Sequence, residues 1–343
     1  MGPGAGQARA AGMVVAQTAR DDLPMRIAVM GSGGVGGYIG ARLAAAAHDV
    51  TFIARGAHFA AIRESGLLLQ SAHGDVAVRP AQASDDPAAV GPVDLVIFAV
   101  KLYDTEVAAA AARPLIGSRT GVVTFQNGVD APDILARVFG AGHVIGGVAR
   151  IAAVVAEPGV IRHTGTMAEF VFGELDGTSS ERIGALAAAL EATGVDHEVS
   201  ADIWRDIWAK MAFLATFAGL TSLMRLPIGP IREDPETRGM LRAGLEEAFA
   251  VARAKGIALP DDFVERTLGH CDRLPFEMKS SMLQDLERGR RLELPWLSGA
   301  IARMGRELAI PTPTHALITT ALKLHACGAP EGSAAERRTP EAS

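Results

Sequence analysis

The chain has 343 residues, 49% of them hydrophobic and 21% charged, with a formal net charge of −6. This is globular composition with enough apolar material for two domains with cores of their own. The acidic balance argues against a nucleic-acid partner, which requires a basic face, and leaves small molecules as the expected ligands. Two cysteines, Cys271 and Cys327, stand far apart without C-x-x-C spacing. They supply neither a disulfide framework nor a metal site and suit a reducing, cytoplasmic setting. The histidines show no H-x-x-x-H pair and are read as surface or core residues, so no metal is expected.

Residues 1–24 are small and polar, with one short apolar patch at Met13-Val14-Val15-Ala16, too short for a signal-peptide core. A disordered leader is expected, or an upstream start to a protein that natively begins at Met25. From Met25 the sequence reads as a short apolar strand, a glycine turn and a helix over Val35 to Ala47. Gly31, Gly33 and Gly36 occupy the three fixed positions of G-x-G-x-x-G. The first permits a tight turn, the second a close backbone approach to a pyrophosphate, and the third tight packing of helix on strand. The phosphates would sit on the free N–H groups of Gly31, Ser32, Gly33, Gly34, Val35 and Gly36 at the helix start.

A second strand covers His48 to Ala54 and ends at Arg55-Gly56. An NAD-selective unit places an acid near this point, about 20 residues past the glycines, for the ribose 2′-hydroxyl. Arg55 stands there instead, and a guanidinium suits the 2′-phosphate of NADPH. Residues 66–80 alternate loosely and predict a β-hairpin turning at His73-Gly74-Asp75. The continuous apolar run Val93 to Val100 predicts a strand buried on both faces, ending in Lys101. Gly121 to Phe125 predicts another, ending in Gln126-Asn127-Gly128. Ligands bind beyond the carboxyl ends of such strands, so Lys101 and Asn127 fall where a ligand would lie. Further strands are expected at Val144 to Val155, Gly159 to Thr164 and Glu169 to Gly173. A helix over Ser179 to Thr193 and a strand around Val195 to Val199 close the first domain.

From Asp202 onward only helical periodicity is found. The fold expected is therefore α/β: an N-terminal Rossmann-type parallel sheet domain over 25–199, then an all-helical domain over 200–327, then a disordered tail over 328–343. The helix from Ile207 to Met224 carries one charged residue, Lys210. Its apolar part is too short for a membrane span, so no membrane partner is expected and the helix should lie buried between the domains. Burial can lower a lysine pKa by roughly 3–5 units, which would make Lys210 a proton donor near neutral pH. The alternative is a lysine that snorkels to the surface. Glu277 to Asp285 reads as a loop entering a helix capped by Ser280 or Ser281. Glu293, in an apolar setting, should have a cationic or hydroxyl partner, for which Arg290 and Arg291 are at hand.

Taken in order, GSGGVGGYIGARL, AVK (99–101), QNG (126–128), W-x-K (208–210), KSSMLQDLERGRRLE (279–293) and IPTP (310–313) resemble the ketopantoate reductase family, 2-dehydropantoate 2-reductases, from Met25 to about Cys327. The resemblance implies a Rossmann domain, a helical second domain, an active site between them, and NADPH-dependent reduction of a 2-oxo acid, 2-dehydropantoate, to (R)-pantoate in pantothenate synthesis. It implies that Lys210 is the catalytic lysine, that Glu293 contacts the nicotinamide ribose and helps set that lysine, and that Asn127 and Lys101 serve cofactor and substrate. It makes Ser281 a substrate-binding residue and Ala152, placed just after a Gly146-Gly147 turn, a backbone contact of the cofactor. Two departures bear on substrate. Where the family carries asparagines one and two turns after the lysine, this chain has Leu214 and Ala218, and Pro295 stands where the family often has Asp. A reductase of a less polar 2-oxo acid or of a ketolactone is thus the alternative within the enzymes, and a non-catalytic NADPH sensor the alternative outside them. An exposed apolar face on the second domain would allow a homodimer.

Overall fold

The computed structural model describes residues 24–329; the leader and tail expected from the sequence lie, but for their innermost residues, outside them. The first part of the chain builds one ten-stranded sheet. Its strands are β1 (Arg26–Met30), β2 (Asp49–Ile53), β3 (Leu67–Gln70), β4 (Val76–Val78), β5 (Gln82–Ser84), β6 (Val93–Phe98), β7 (Ile116–Thr124), β8 (Val144–Glu157), β9 (Val160–Glu174) and β10 (Asp196–Val199). The helices between them are α1 (Gly34–Ala45), α2 (Gly56–Ser65), α3 (Thr105–Ala112), α4 (Ala131–Phe139) and α5 (Glu181–Glu191). The second part is helical: α6 (Ile203–Met224), α7 (Ile228–Glu233), α8 (Pro235–Ala254), α9 (Phe263–Arg273), α10 (Ser281–Glu287), α11 (Ser298–Glu307) and α12 (Pro313–Leu322).

The order β5-β2-β1-β6-β7-β8, all parallel, is the doubly wound dinucleotide-binding order, whose ligand crevice lies where the order reverses, at β1 and β6. Alternation along β1 shows why the strands read as apolar runs. Ile27 and Val29 pack into one core with Tyr38, Ile39 and Leu43 of α1. Ala28 and Met30 pack into another with Ala108 and Ala112 of α3 and Leu135 of α4. Both faces are covered, so both sets of side chains are apolar.

Beyond β8 the sheet turns mixed. β8 and β9 form a long antiparallel pair, and β9 also pairs with β3 and β10. The two strands expected at 159–164 and 169–173 are one strand whose pairing jumps from His163 to Ala168 opposite Ala152. Thr164 to Met167 are exposed there, which broke the apolar pattern. Gly146 and Gly147, expected as a turn, lie inside β8, where a Cβ on Gly147 would press on the Thr124 carbonyl at 2.7 Å. The hairpin at 66–80 forms as β3 and β4, with Gly74 at φ 93° in its turn.

α6 is the core helix of the second part. Asp202 caps it by accepting from the Arg205 N–H at 3.1 Å, and Arg225 ends it in the left-handed region at φ 56°. Contrary to the expectation that its apolar part is too short, α6 starts at Ile203 and is by length and composition able to cross a membrane, but Trp208, Ala212, Ala215, Phe217 and Leu220 are buried among the neighbouring helices. It also lies on the sheet, since Val148 of β8 and Val171 of β9 belong to its core. Apolar character round most of α6 therefore reflects burial in the core, while Lys210, Phe213 and Leu214 are only half-buried.

Candidate active site

The loop after β1 has the shape its glycines predict. Gly31 sits at φ 97°, and a Cβ there would meet the Val100 backbone nitrogen at 2.7 Å. A Cβ on Gly36 would collide with the Gly31 carbonyl, and one on Gly34 with the Ala153 carbonyl. Only Gly33, the N-cap of α1, looks onto open space, with nothing within 4 Å of a Cβ. That is the pattern a pyrophosphate requires: close protein packing at the first and third glycines and room for a ligand at the second. The first N–H groups of α1 lack helical acceptors, so the loop and Val35 can hold an anion. The Ser32 hydroxyl turns inward and donates to the Val29 and Ile53 carbonyls at 3.3 and 3.1 Å.

Arg55 follows β2 and is the exposed N-cap of α2. Among the described residues it forms no ion pair, which leaves its guanidinium free for a phosphate beside the glycine loop. Ala152 is exposed at the irregularity in β8, one residue from the Ala153 carbonyl that abuts Gly34. The residues present thus fit a dinucleotide.

Four polar side chains meet where β6, β7, β8 and α6 converge. Lys210 Nζ donates to the Asn127 Oδ1 at 2.9 Å and to the Ala149 carbonyl of β8 at 2.7 Å. Asn127 Nδ2 donates in turn to Glu293 Oε2 at 3.3 Å. Glu293 Oε1 accepts from the Leu102 backbone N–H at 3.2 Å, and Lys101 Nζ stands 3.6 Å from Oε2. Lys101 also donates to Asp285 of α10 at 3.1 Å. The chain Lys101–Glu293–Asn127–Lys210 therefore stitches the strand ends to the helical part.

Glu293 pairs with neither Arg290 nor Arg291, its neighbours in sequence, but with Lys101, Asn127 and the Leu102 N–H. Arg291 instead stacks over the Tyr103 ring, 4.4 Å from its centroid. The carboxylate is satisfied by residues 166 to 191 positions away.

Burial dominates the Lys210 amine and lowers its pKa to about 8; Glu293 opposes this and the Arg150 charge adds to it. Lys101 shows the reverse: burial would lower it, but Glu293 and Asp285 together outweigh burial and raise it. Ser280, not Ser281, caps α10, accepting from the Leu283 N–H at 3.0 Å and pairing with the Thr221 hydroxyl at 2.8 Å. Ser281 is exposed, with no side-chain hydrogen bond among the described residues. Leu214 is half-buried one turn after Lys210, and Ala218 is buried a turn further on. A surface hollow lined by Arg26, Asp49 and Gln82 opens at the amino ends of the strands, away from these groups.

Such a fold and site define a two-domain oxidoreductase that uses a nicotinamide cofactor. Residues 27–177 match the family model "Ketopantoate reductase PanE/ApbA" and residues 202–326 its C-terminal companion. The chain belongs to the ketopantoate reductase family. It is 34% identical over 311 residues to a 2-dehydropantoate 2-reductase of Mesorhizobium japonicum, covering 84% of this chain and 94% of that one. Among solved structures, a PanE/ApbA family ketopantoate reductase from Ralstonia eutropha superposes with a TM-score of 0.81 at 36% identity, covering 88% of this chain and 98% of that one. D-mandelate dehydrogenase, solved with NADH and anilino(oxo)acetate, shares the fold at a TM-score of 0.80 and 23% identity, over 88% of this chain and 98% of that one.

Proposed function

We propose that the protein reduces a 2-oxo acid to the 2-hydroxy acid with NADPH, and that 2-dehydropantoate, giving (R)-pantoate, is the first substrate to test. The observation that carries the reading is the Lys210 amine, held between Asn127 and the Ala149 carbonyl at the carboxyl edge of the sheet. When bound, the dinucleotide supplies the hydride. Lys210 directs its ammonium at the keto oxygen, stabilises the charge that grows there, and gives that oxygen its proton. Asn127 fixes the amine, and Glu293 fixes Asn127. Gly31 to Gly36 and the backbone at Ala152 hold the nucleotide, and Ser281 offers a hydroxyl to the substrate carboxylate. The apolar wall of α6 excludes water, which strengthens each of these interactions.

A second substrate reading, a less polar 2-oxo acid, is favoured by Leu214 and Ala218. Neither can pair with a substrate hydroxyl, and an unpaired buried hydroxyl costs binding. A panel of 2-oxo acids assayed with NADPH and NADH tests both readings. 2-Dehydropantoate should give the highest kcat/KM; turnover of branched or aromatic 2-oxo acids with negligible turnover of 2-dehydropantoate selects the second. Arg55→Ala should weaken NADPH by about tenfold or more, as loss of a charged hydrogen bond implies, and leave NADH nearly unchanged. Equal weakening of both cofactors removes the 2′-phosphate role.

A further inference from the structure

No histidine has a part in this scheme, but one of them, His58, touches the glycine loop. His58 lies half-buried in the first turn of α2, three residues after Arg55. Its Nε2 stands 2.8 Å from the Ser32 carbonyl in the glycine loop, and its Nδ1 stands 3.0 Å from the Gly159 backbone nitrogen in the turn between β8 and β9. A carbonyl only accepts and an amide N–H only donates. Both contacts are therefore satisfied by one form of the ring: neutral, with the proton on Nε2 and the lone pair on Nδ1. Burial, which lowers the His58 pKa against the raising effect of the Ser32 carbonyl, favours that form.

The segments joined are those that shape the nucleotide cradle. The Ser32 N–H already donates to the Ile53 carbonyl at 3.2 Å, so His58 fixes the other side of the same residue. Gly33, the one glycine of the fingerprint that faces open space, comes next in the chain. The Gly159 turn is itself anchored, its carbonyl accepting from the Leu68 N–H at 2.9 Å. The β8 backbone leading into that turn is what Gly34 abuts.

We infer that His58 is a positioning residue for the dinucleotide: by bridging the Ser32 carbonyl and the Gly159 amide it holds the Gly31–Gly36 loop, and Arg55 on the same helix, in register for the phosphates. Preorganised donors bind more tightly because the ligand does not bear the cost of ordering them. The inference rests on the reading of this loop as the nucleotide site.

His58→Phe keeps the ring volume and removes both hydrogen bonds; His58→Gln restores a donor at the reach of Nε2. Calorimetric titration with NADPH should show a dissociation constant raised about tenfold in His58→Phe, the scale set by two lost hydrogen bonds, and partial recovery in His58→Gln. The KM for NADPH should rise in proportion, while kcat at saturating cofactor stays within about twofold. An NADPH affinity unchanged in both variants, or a kcat loss at saturating cofactor with affinity unchanged, overturns the inference and makes His58 a packing residue. Failure of the wild-type protein to bind either NADPH or NADH overturns the nucleotide reading itself. Should His58→Phe not fold, His58→Gln and His58→Asn are compared with wild type by the same titration.

Discussion

Lys101 and Lys210 flank one carboxylate, Glu293, and their ammonium groups meet opposite fates. Lys101 faces two carboxylates, Asp285 at 3.1 Å and Glu293 at 3.6 Å, and its side chain is 43% exposed. Lys210 bonds to two uncharged oxygens, an amide and a backbone carbonyl, on a helix sunk into apolar surroundings. Carboxylates favour the charged amine and raise the first; burial without a direct ion pair disfavours it and lowers the second to about 8. Asn127 makes the difference. It accepts from Lys210 and donates to Glu293, so it transmits the orientation of the carboxylate while keeping its charge one residue away. A direct Lys210–Glu293 pair would hold the proton too firmly to donate near neutral pH.

The largest expected effect is at Lys210. Lys210→Met should lower kcat by roughly 10²–10⁴, the usual worth of a positioned proton donor, and leave NADPH affinity nearly intact. In the wild type the reduction rate should fall as pH rises through about 8, because the proposed mechanism requires the protonated amine. The same shift carries a stability signature. A folded pKa of about 8 against an ordinary lysine value of 10.5 means the unfolded chain binds more protons between those values, so this group's contribution to stability rises with pH across that window. Below it, the buried charge costs roughly 3 kcal/mol at about 1.4 kcal/mol per unit. Lys210→Met should therefore raise Tm at pH 7, with a gain that shrinks towards pH 10.5. A variant as labile as one with a core cavity would contradict that account.

Glu293→Gln comes next. The glutamine keeps an acceptor for the Leu102 N–H but removes the charge that raises Lys210. The limb of the pH–rate profile near 8 should move to lower pH, and turnover at pH 7.5 should fall by roughly tenfold or more. A limb that stays in place would show that Glu293 acts on Lys210 through geometry alone.

Much of the fold was legible because its signals are local. The glycine fingerprint, the apolar runs of β6 and β7 and the loss of strand pattern after residue 200 each follow from burial on known faces. β5 was missed: Gln82–Ser84 has three residues, none strongly apolar, and is a strand only because β2 offers an edge. β9 was broken in two by the exposed stretch Thr164 to Met167. In the site, motifs could point to Lys101, Asn127, Lys210 and Glu293 one at a time, but not to who bonds whom. Arg290 and Arg291 were neighbours of Glu293 in sequence, whereas its partners lie across the domain junction. His58 had no signal at all: its two contacts span 26 and 101 residues, and a lone histidine in a helix looks like any other.

Lys101→Met should have the smallest effect of the three. The Lys101 end of its ion pairs is partly exposed, so solvent screens them, and the Glu293 carboxylate keeps the Leu102 N–H and Asn127 when Lys101 is gone. The charges that chiefly set the Lys210 pKa are those of Glu293 and Arg150, so the pH–rate limb should stay where it is even if KM rises several-fold through loss of a positive charge at the cleft. The two lysines are thereby separable: one change should remove the titration, and the other should leave it untouched while weakening binding. A limb displaced by Lys101→Met would mean that the amide of Asn127 does not insulate the two amines, and that Lys101, Glu293 and Lys210 titrate as one coupled group.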